Sequence, residues 1–593
     1  MSSITTTWMC PPSSGGKQIK RVKRAVPDPE KGAVKKGWRG RIRIALVYPN
    51  TYHVGMSNLG FQTIYGRLNE RDDVVCERAF LPERGSGGGV PEIRSLESEK
   101  PLGEFDIIAF SIAFENDYIH VLSILKKAGL PLRSNARGNS TPLMIAGGVT
   151  CFLNPEPMAP FFDVMVVGEA ESLLSRLIDH FDPDRDRMAF LKEMAATLPG
   201  IYIPSLYHVE YHDDRTIRSF SPVGDAPERV LRVYEKDLST FSTATTILTP
   251  DTSFSETFLI EIGRGCPHGC RFCGAGYVYR PPRFRSLPVL ERSLEEGAVR
   301  SSKIGLVGAA VSDLPCLASL CDMGEKRGLT LSFSSLRAEA LTETLVSALK
   351  KSGMKTATIA PDAGSERMRA VINKGITEEA ILHGARALVL GGIPNLKLYF
   401  MVGLPEESEE DLLAIPDLVK KIKAVFLESS RTQKRIGVIH VSVNPFVPKP
   451  VTPFQWVRME TKPVLKQKLS RIIHELKGVP NVTLTFENPG SSILQGILSR
   501  GDRTVADLLL KIVENNGDWA KSLKGLSKEQ ALFALRERKV DEILPWDFID
   551  HRVTKSYLHQ EYQRALQAKE TPPCDPSVCV RCGACRNNSP SFL

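Results

Sequence analysis

The segment 261–273 reads Glu-Ile-Gly-Arg-Gly-Cys-Pro-His-Gly-Cys-Arg-Phe-Cys and overlaps the end of a short apolar run at 258–262. It holds three cysteines at C-x3-C-x2-C spacing, Cys266, Cys270 and Cys273. On a helix these positions would share one face, as an apolar stripe of cysteines. Four residues disfavour that helix: Gly263, Gly265, Pro267 and Gly269. The segment is therefore predicted to be a loop that folds around a compact object and points three thiolates inward.

Thiolates are the soft ligands that hold iron–sulfur clusters. Three cysteines on a [4Fe–4S] cluster leave one iron open for a substrate or cofactor, and zinc or a structural role is the alternative. At Cys266, Cys270, Phe272 and Cys273 the chain resembles the radical S-adenosylmethionine (SAM) enzymes, whose signature is C-x3-C-x-aromatic-C. The resemblance implies that SAM binds the open iron and that one electron cleaves it to methionine and a 5′-deoxyadenosyl radical.

Length and composition set the broad class of the protein. A chain of 593 residues is expected to form two or three domains, and 42% apolar with 24% charged residues is typical of a globular protein. No apolar run approaches the roughly 20 residues that cross a membrane, and segment 1–16 lacks a secretory core. Twelve cysteines in local clusters favour metal ligation in a reducing compartment. The cytoplasm is the expected location.

The positive charge of the chain is concentrated near its beginning. Segment 17–43 carries eleven Lys and Arg residues against Asp28 and Glu30, an excess equal to the whole formal net charge of +9. Such a segment either contacts nucleic-acid phosphates or is a solvated tail. We expect a flexible basic tail at 1–40, and RNA is one candidate substrate.

Apolar runs alternate with helical patterns over 41–200, which predicts a doubly wound, Rossmann-like parallel sheet. Ligands on such sheets bind at the carboxyl ends of the strands. The pair Gly147-Gly148 after a strand resembles the cobalamin-binding-type domain that precedes many radical SAM cores. The resemblance implies cofactor contacts at Ser111, Gly147 and Gly148.

The motif that ligates cobalt in that type of domain, Asp-x-His-x-x-Gly, is incomplete here. Its positions hold Asn50, Tyr52 and Gly55, and His53 is one place out of register. Cobalamin would therefore bind without this histidine, as in related proteins that lack it. The alternative is a scaffold that shapes the substrate cleft without the cofactor.

After a connector at 201–256, a second series of strands and helices extends over 257–490. The predicted strands are 258–262, 303–307, 329–333, 356–360, 396–402 and 437–443. The radical SAM resemblance implies a partial (β/α)6 barrel for this series. Polar residues at the carboxyl ends of its strands are expected to line the site.

Several of these strand ends resemble parts of a SAM site. The usual Gly-Gly-Glu after the second strand is replaced by Gly308-Ala-Ala, so Ser312 or Asp313 would substitute for the glutamate. Arg337, after the third strand, suits either a carboxylate or an ion pair with a helix glutamate. The remaining candidate cofactor contacts are Phe272, Gly274, Asp362, Ser365, Glu366, Met401, Gly403 and Asn444. Ser365 fits a helix N-cap equally well.

The C-terminal region, 491–593, is predicted to be mostly helical, with a last helix over 546–567. Four cysteines follow at C-x4-C-x2-C-x2-C spacing: Cys574, Cys579, Cys582 and Cys585. A zinc ribbon needs a longer loop between its two pairs, of about 12–20 residues. Serial C-x2-C spacing resembles ferredoxin ligation. A second iron–sulfur cluster is therefore favoured, with zinc as the alternative.

These patterns predict a radical SAM enzyme that modifies an unactivated position of its substrate by methyl transfer, sulfur-group transfer or rearrangement. The substrate would be RNA or a protein side chain, and the electron would come from a reductant such as flavodoxin or ferredoxin. Bound cobalamin would favour methyl transfer. Two other classes remain open: an RNA- or ribosome-binding factor with structural clusters, and an electron-transfer protein.

Overall fold

The computed structural model describes residues 30–83, 92–334, 336–433, 436–524 and 528–585. Most of the predicted basic tail, 1–29, lies outside these ranges. The part of the predicted tail that is described packs against the following domain, because Glu30 pairs with the buried Arg78 at 2.6 Å. Lys36 also donates to the carbonyl of Asn69 at 2.6 Å.

A six-stranded sheet organises the N-terminal part. Its strands are β1 Ile42–Tyr48, β2 Val74–Phe80, β3 Ile107–Ser111, β4 Leu143–Gly147, β5 Val164–Val166 and β6 Ile201–Tyr202. Their order is β2-β1-β3-β4-β5-β6, and all neighbours are parallel except β5 and β6. The order reverses between β1 and β3, which creates a switch point where ligands bind on open sheets.

Helices cover this sheet because its central strands are buried apolar runs. They are α1 Tyr52–Met56, α2 Leu59–Glu70, α3 Tyr118–Lys127, α4 Val149–Leu153, α5 Glu171–Asp179 and α6 Arg187–Thr197. Asn58 caps α2 by accepting a hydrogen bond from the amide of Phe61. The connector contains an antiparallel hairpin, β7 Tyr207–Tyr211 with β8 Ile217–Pro222, and then β9 Val230–Leu231.

The second series contains every strand that the sequence predicts. Its strands are β10 Phe258–Glu261, β11 Gly263–Arg264, β12 Arg283–Phe284, β13 Lys303–Val307, β14 Thr330–Phe333, β15 Thr356–Asp362, β16 Asn395–Val402, β17 Ile439–Pro445 and β18 Val482–Phe486. Strands β10-β13-β14 form one parallel sheet and β15-β16-β17-β18 another. A mixed α/β fold with parallel sheets is confirmed, and the closed form of a partial barrel stays a prediction.

The helices of this series are α7 Ala275–Val278, α8 Leu287–Arg300, α9 Leu317–Lys326, α10 Glu343–Lys351, α11 Glu366–Val371, α12 Glu378–Leu390, α13 Glu409–Thr432 and α14 Lys462–Leu476. The short antiparallel pair β11–β12 flanks the three-cysteine segment on both sides. That pairing returns the chain on itself, so the segment between the two strands is a closed loop.

The C-terminal region returns to the N-terminal domain. Its elements are α15 Pro489–Arg500, α16 Val505–Glu514, α17 Trp519–Lys524, α18 Lys528–Leu535, β19 Ile549–Asp550 and α19 Lys555–Leu566. Helix α16 packs on α3, and one continuous apolar core joins the two regions. The predicted start of the last helix at 546 is wrong, because β19 pairs with β9 and Thr554 caps α19. Within the described ranges, no helix has the length and apolarity needed to cross a membrane.

Candidate functional site

The three-cysteine loop leaves β11 and ends in α7, where Gly274 is the N-cap. Its glycines are required by space as well as by conformation. Gly265 has φ +80°, and a Cβ there would lie 2.7 Å from the carbonyl oxygen of Tyr279. Cys270 is buried, Cys266 and Cys273 are half-buried, and none of the three forms a disulfide. The chain is therefore shaped to bring these thiols into a close-fitting loop.

Contacts from distant segments hold the loop in place. The amide of Arg271 donates to the carbonyl of Ile372 at 2.9 Å, and Asn373 Nδ2 donates to the carbonyl of Gly269 at 3.1 Å. Tyr277 Oη donates to the same carbonyl at 3.0 Å. These bonds fix the backbone on both sides of Cys270, so the loop is preorganised.

The electrostatics around the loop combine burial with nearby cations. Burial raises the pKa of Cys266 to about 12 and also raises the pKa of Cys270, which Lys374 and Arg337 oppose. A metal cluster must therefore displace protons from these thiols. Once the thiols are deprotonated, Arg337 and Lys374 provide positive charge beside the thiolate of Cys270.

Two buried carboxylate oxygens near the loop have no hydrogen-bond partner among the described residues. Asp362 Oδ2 pairs with Lys374 Nζ at 2.5 Å, but Asp362 Oδ1 is unpartnered. Asp313 Oδ1 lies 2.7 Å from His268 Nε2 inside the loop, and Asp313 Oδ2 is unpartnered. Unpartnered buried acceptors of this kind fit the ammonium of a bound amino acid, so the residues present suit the methionine part of SAM.

Arg337 makes the ion pair that sequence reasoning offered as the alternative. It pairs with Glu339 and donates to the carbonyl of Lys374 at 2.7 Å, while its charge also reaches Cys270. Sequence reasoning found Arg337 and considered Asp313, but it missed Lys374 and His268. His268 could have been found because it lies inside the cysteine motif.

The predicted SAM contacts Ser365 and Glu366 both lie at the start of a helix. Ser365 caps α11, accepting from the amide of Met368 at 3.0 Å, and donates to Asp411 at 2.5 Å. The Glu366 side chain is 64% exposed and accepts from the amide of Glu378. The structure thus gives both residues a local role at the start of a helix.

An apolar cluster surrounds Cys270. Phe272 and Met401 belong to it together with Phe446, and Cys273 packs at its edge. Gly403 has φ +79°, and its amide donates to Glu407 Oε2 at 2.9 Å. The loop and the end of β16 therefore meet in one apolar cluster.

A cavity of about 790 Å³ lies between the N-terminal domain and the second series of strands. The predicted residues that line it are Ser111, Gly147, Gly148, Phe272, Met401 and Asn444. Two further residues of the loop region, Gly265 and Ala275, also reach it. The carboxyl ends of both sets of strands thus open into one space, which is of the size that encloses a small ligand.

Sequence reasoning missed the polar end of this cavity. Lys449 and Glu115 form a buried ion pair at 2.5 Å, and Gln495 donates to Glu115 at 3.3 Å. Burial raises the pKa of Glu487, which also lines the cavity. Glu115 follows β3, and the carboxyl end of this strand was expected to bind a ligand. Its partners Lys449 and Gln495 come from distant parts of the chain.

Two residues at the incomplete cobalt motif, Tyr52 and His53, contact other parts of the protein, whereas Asn50 lines the cavity. Tyr52 donates to Glu30, and His53 lies 2.9 Å from Asp251. Among the described residues that line the cavity, none is a histidine or a cysteine. The space suits a bound molecule, but the side chains present supply no thiolate or imidazole to cobalt.

The four C-terminal cysteines lie beside the loop. The amide of Cys574 donates to the carbonyl of Pro267 at 2.8 Å, and the buried Arg280 contacts Cys582. Within the described ranges, no three His, Cys, Asp or Glu side chains converge as they would around a single metal ion.

An α/β protein with a preorganised three-thiol loop at the wall of an interdomain cavity agrees with the sequence comparisons. The family model for radical SAM proteins, N-terminal, matches residues 60–204, and the model for the radical SAM superfamily matches 260–419. "Uncharacterized protein MJ0966" of Methanocaldococcus jannaschii is 32% identical over 469 residues, which are 79% of this chain and 90% of that protein. The chain belongs to the radical SAM superfamily.

Solved structures give weaker similarities. Streptococcus suis SuiB bound to S-adenosylmethionine has a TM-score of 0.28 and 14% identity, covering 39% of this chain and 50% of that chain. HydG, a maturase of the [FeFe]-hydrogenase, has a TM-score of 0.25 and 13% identity, covering 46% and 67%. This chain spans about half of the length of SuiB. The family assignment depends on the sequence matches.

Proposed function

We propose that Cys266, Cys270 and Cys273 hold a [4Fe–4S] cluster and that the chain uses it to cleave SAM and modify a substrate in the interdomain cavity. The bound cluster and SAM would supply a 5′-deoxyadenosyl radical. The observation that carries the proposal is the position of the loop: it contributes Gly265, Phe272 and Ala275 to the wall of the cavity, and its three cysteines lie close to them in the chain.

The residues around the loop have separable roles in this proposal. Asp313 and Asp362, which carry the unpartnered oxygens, would hold the ammonium of SAM, while Arg337 and Lys374 would pair with its carboxylate. Met401 and Phe272 exclude water from the region where a reactive radical would form. Asn444 and Ser111, which line the cavity at the ends of β17 and β3, would orient the substrate.

Methyl transfer, sulfur-group transfer and rearrangement are the reaction classes that we expect. Cobalamin would favour the first, and the cavity at the switch point between β1 and β3 is where it would bind. Gly147 supports this placement because it borders open space, where a Cβ would meet no atom closer than 4.0 Å, whereas a Cβ at Gly148 would lie 2.4 Å from the carbonyl oxygen of Ile112. Cobalt quantification in the purified protein tests it.

The proposed function is tested by anaerobic reconstitution with iron and sulfide, followed by an assay for 5′-deoxyadenosine. Wild-type protein should release it from SAM, and the Cys266→Ala, Cys270→Ala and Cys273→Ala variants should not. Cys316→Ala is a matched control because Cys316 is also half-buried but lies outside both cysteine groups. Equal SAM cleavage by a triple variant that combines Cys266→Ala, Cys270→Ala and Cys273→Ala would overturn the proposal.

A further inference from the structure

The C-terminal cysteine segment is hydrogen-bonded directly to the three-cysteine loop, which is called the cluster loop below. The amide of Cys574 donates to the carbonyl of Pro267 at 2.8 Å. Asn373 bonds to both segments: its Nδ2 donates to Gly269 at 3.1 Å, and its Oδ1 accepts from the amide of Thr571 at 2.7 Å. The two groups of cysteines, far apart in sequence, are therefore neighbours in space.

Arg280 forms a second bridge between the two groups. It is buried, its Nε donates to the carbonyl of Gly276 at 2.6 Å, and its guanidinium lies beside the thiol of Cys582. The amide of Gly276 in turn donates to the carbonyl of Cys273 at 3.2 Å. A short series of polar contacts thus joins Cys273 to Cys582 through a buried cation.

The C-terminal cysteines are graded in exposure. Cys574 and Cys582 are buried on the side of the loop, whereas Cys579 and Cys585 are half-buried. The neighbouring Val578 is 75% exposed. One side of the group therefore faces the cluster loop and the other faces solvent.

The four thiols lie near one another, since Cys574, Cys579 and Cys585 each interact electrostatically with other members of the group. A zinc ribbon places a longer loop between its two pairs of ligands, whereas serial C-x2-C spacing is that of ferredoxin-type ligation. The spacing of these four cysteines therefore favours an iron–sulfur cluster.

We propose that Cys574, Cys579, Cys582 and Cys585 hold an iron–sulfur cluster that receives electrons from a protein reductant and passes them to the group held by Cys266, Cys270 and Cys273. This inference rests on the proposed function. A low-potential carrier, such as reduced flavodoxin, loses one electron to the C-terminal cluster. That cluster is reoxidised as the electron moves to the loop cluster, and no bond or proton is exchanged in the transfer.

The C-terminal group offers a route to the most buried thiol of the loop. Cys270 is only 8% exposed, whereas Cys266 and Cys273 are half-buried like Cys579 and Cys585. Val578, next to Cys579, is 75% exposed, so a reductant the size of flavodoxin can contact the outer side of the C-terminal group.

The experiment compares two reductants on full-length, anaerobically reconstituted protein. The double variant Cys579→Ala, Cys585→Ala changes the two outer cysteines, and Cys316→Ala is the matched control. The variant should contain about four fewer iron atoms per chain and lack one electron paramagnetic resonance signal. With dithionite, a small reductant that reaches either site, it should still release 5′-deoxyadenosine. With reduced flavodoxin its rate should fall by an order of magnitude or more.

An unchanged flavodoxin-driven rate in a variant that has lost the iron would overturn the relay, as would zinc in place of iron in the wild-type protein. Dithionite-driven release by the variant shows that it is folded. If that release is lost, the test uses wild-type protein that is mixed with reduced flavodoxin and rapidly frozen. The electron paramagnetic resonance signal of the reduced C-terminal cluster should then appear before that of the loop cluster. Earlier reduction of the loop cluster would overturn the relay. A wild-type protein that never cleaves SAM instead overturns the proposed function.

Discussion

Lys449 Nζ and Glu115 Oε1 form an ion pair at 2.5 Å at the polar end of the interdomain cavity, and both side chains are 4% exposed. The two residues are 334 positions apart and come from different domains. A buried pair of this kind fixes how the domains meet, because neither charge can remain in the interior alone.

Removing one partner of this pair should destabilise the protein. Glu115→Gln leaves Lys449 without its counter-charge, and we expect a loss of about 3–5 kcal/mol in the free energy of unfolding. The double variant Glu115→Gln, Lys449→Met should lose less than the sum of the single changes, since it leaves no unpaired charge. Denaturant titration of all four proteins measures the coupling, and strict additivity would contradict it.

Acid should weaken a second interdomain contact. Burial acts to raise the pKa of Glu169, but Arg283 and Arg264 outweigh it and hold the pKa at about 2, below its ordinary value of 4.5. A depressed folded pKa contributes stability that is present above 4.5 and lost as the pH falls toward 2. Glu169→Gln should therefore lower the melting temperature more at about pH 7 than at about pH 3. The exposed Glu70→Gln is the control, and a gap between the Glu169→Gln variant and wild type that does not narrow in acid would contradict the assignment.

The three-cysteine loop should not tolerate a side chain at Gly265. Gly265→Ala places a Cβ 2.7 Å from the carbonyl oxygen of Tyr279 at φ +80°, a conformation that costs about 1–3 kcal/mol in itself. We expect reduced iron binding after reconstitution. Gly224→Ala is matched, because Gly224 has φ +64° but open space around it. Full iron binding by both variants would show that the loop adapts.

Asp313 should contribute to SAM affinity. Asp313→Asn removes the charge of an unpartnered buried oxygen next to the loop, and loss of a charge-assisted hydrogen bond of about 1.5–3 kcal/mol weakens binding roughly 10- to 100-fold. Iron content should be unchanged. The dissociation constant for SAM, measured by equilibrium dialysis, checks the prediction against Asp322→Asn on the exposed face of α9. An unchanged dissociation constant would contradict the role of Asp313 and assign the ammonium of SAM to Asp362 instead.

Arg280 should tune the iron–sulfur cluster that we propose for the four C-terminal cysteines. Burial acts to lower the pKa of Arg280, but Tyr557, Tyr277 and Cys582 raise it, so the guanidinium stays charged. A fixed cation stabilises the reduced, more negative form of a cluster. Arg280→Gln should lower the reduction potential of this cluster, and Arg280→Lys should preserve it. A redox titration followed by electron paramagnetic resonance compares the three proteins, and equal potentials would contradict the role.

Local patterns predicted much of the architecture. The alternation of apolar runs with helical segments indicated the strands of the N-terminal sheet and of the second series, because a buried parallel strand needs a continuous apolar run. The predicted helix over 546–567 failed at its beginning, where Ile549 and Asp550 pair with β9 in the connector. That pairing is made with residues about 320 positions earlier in the chain, which no local pattern records.

The sequence by itself determined the chemistry of the loop: the spacing of Cys266, Cys270 and Cys273 and the glycines between them are local, and their backbone requirements can be read one residue at a time. Only the tertiary structure decided what surrounds that loop. It placed Asp313, Lys374 and Arg337 beside the thiols, brought Lys449 to Glu115, and returned Cys574 to Pro267. These contacts arise from the packing of whole elements around shared apolar cores, so their partners are set by three-dimensional fit rather than by spacing along the chain.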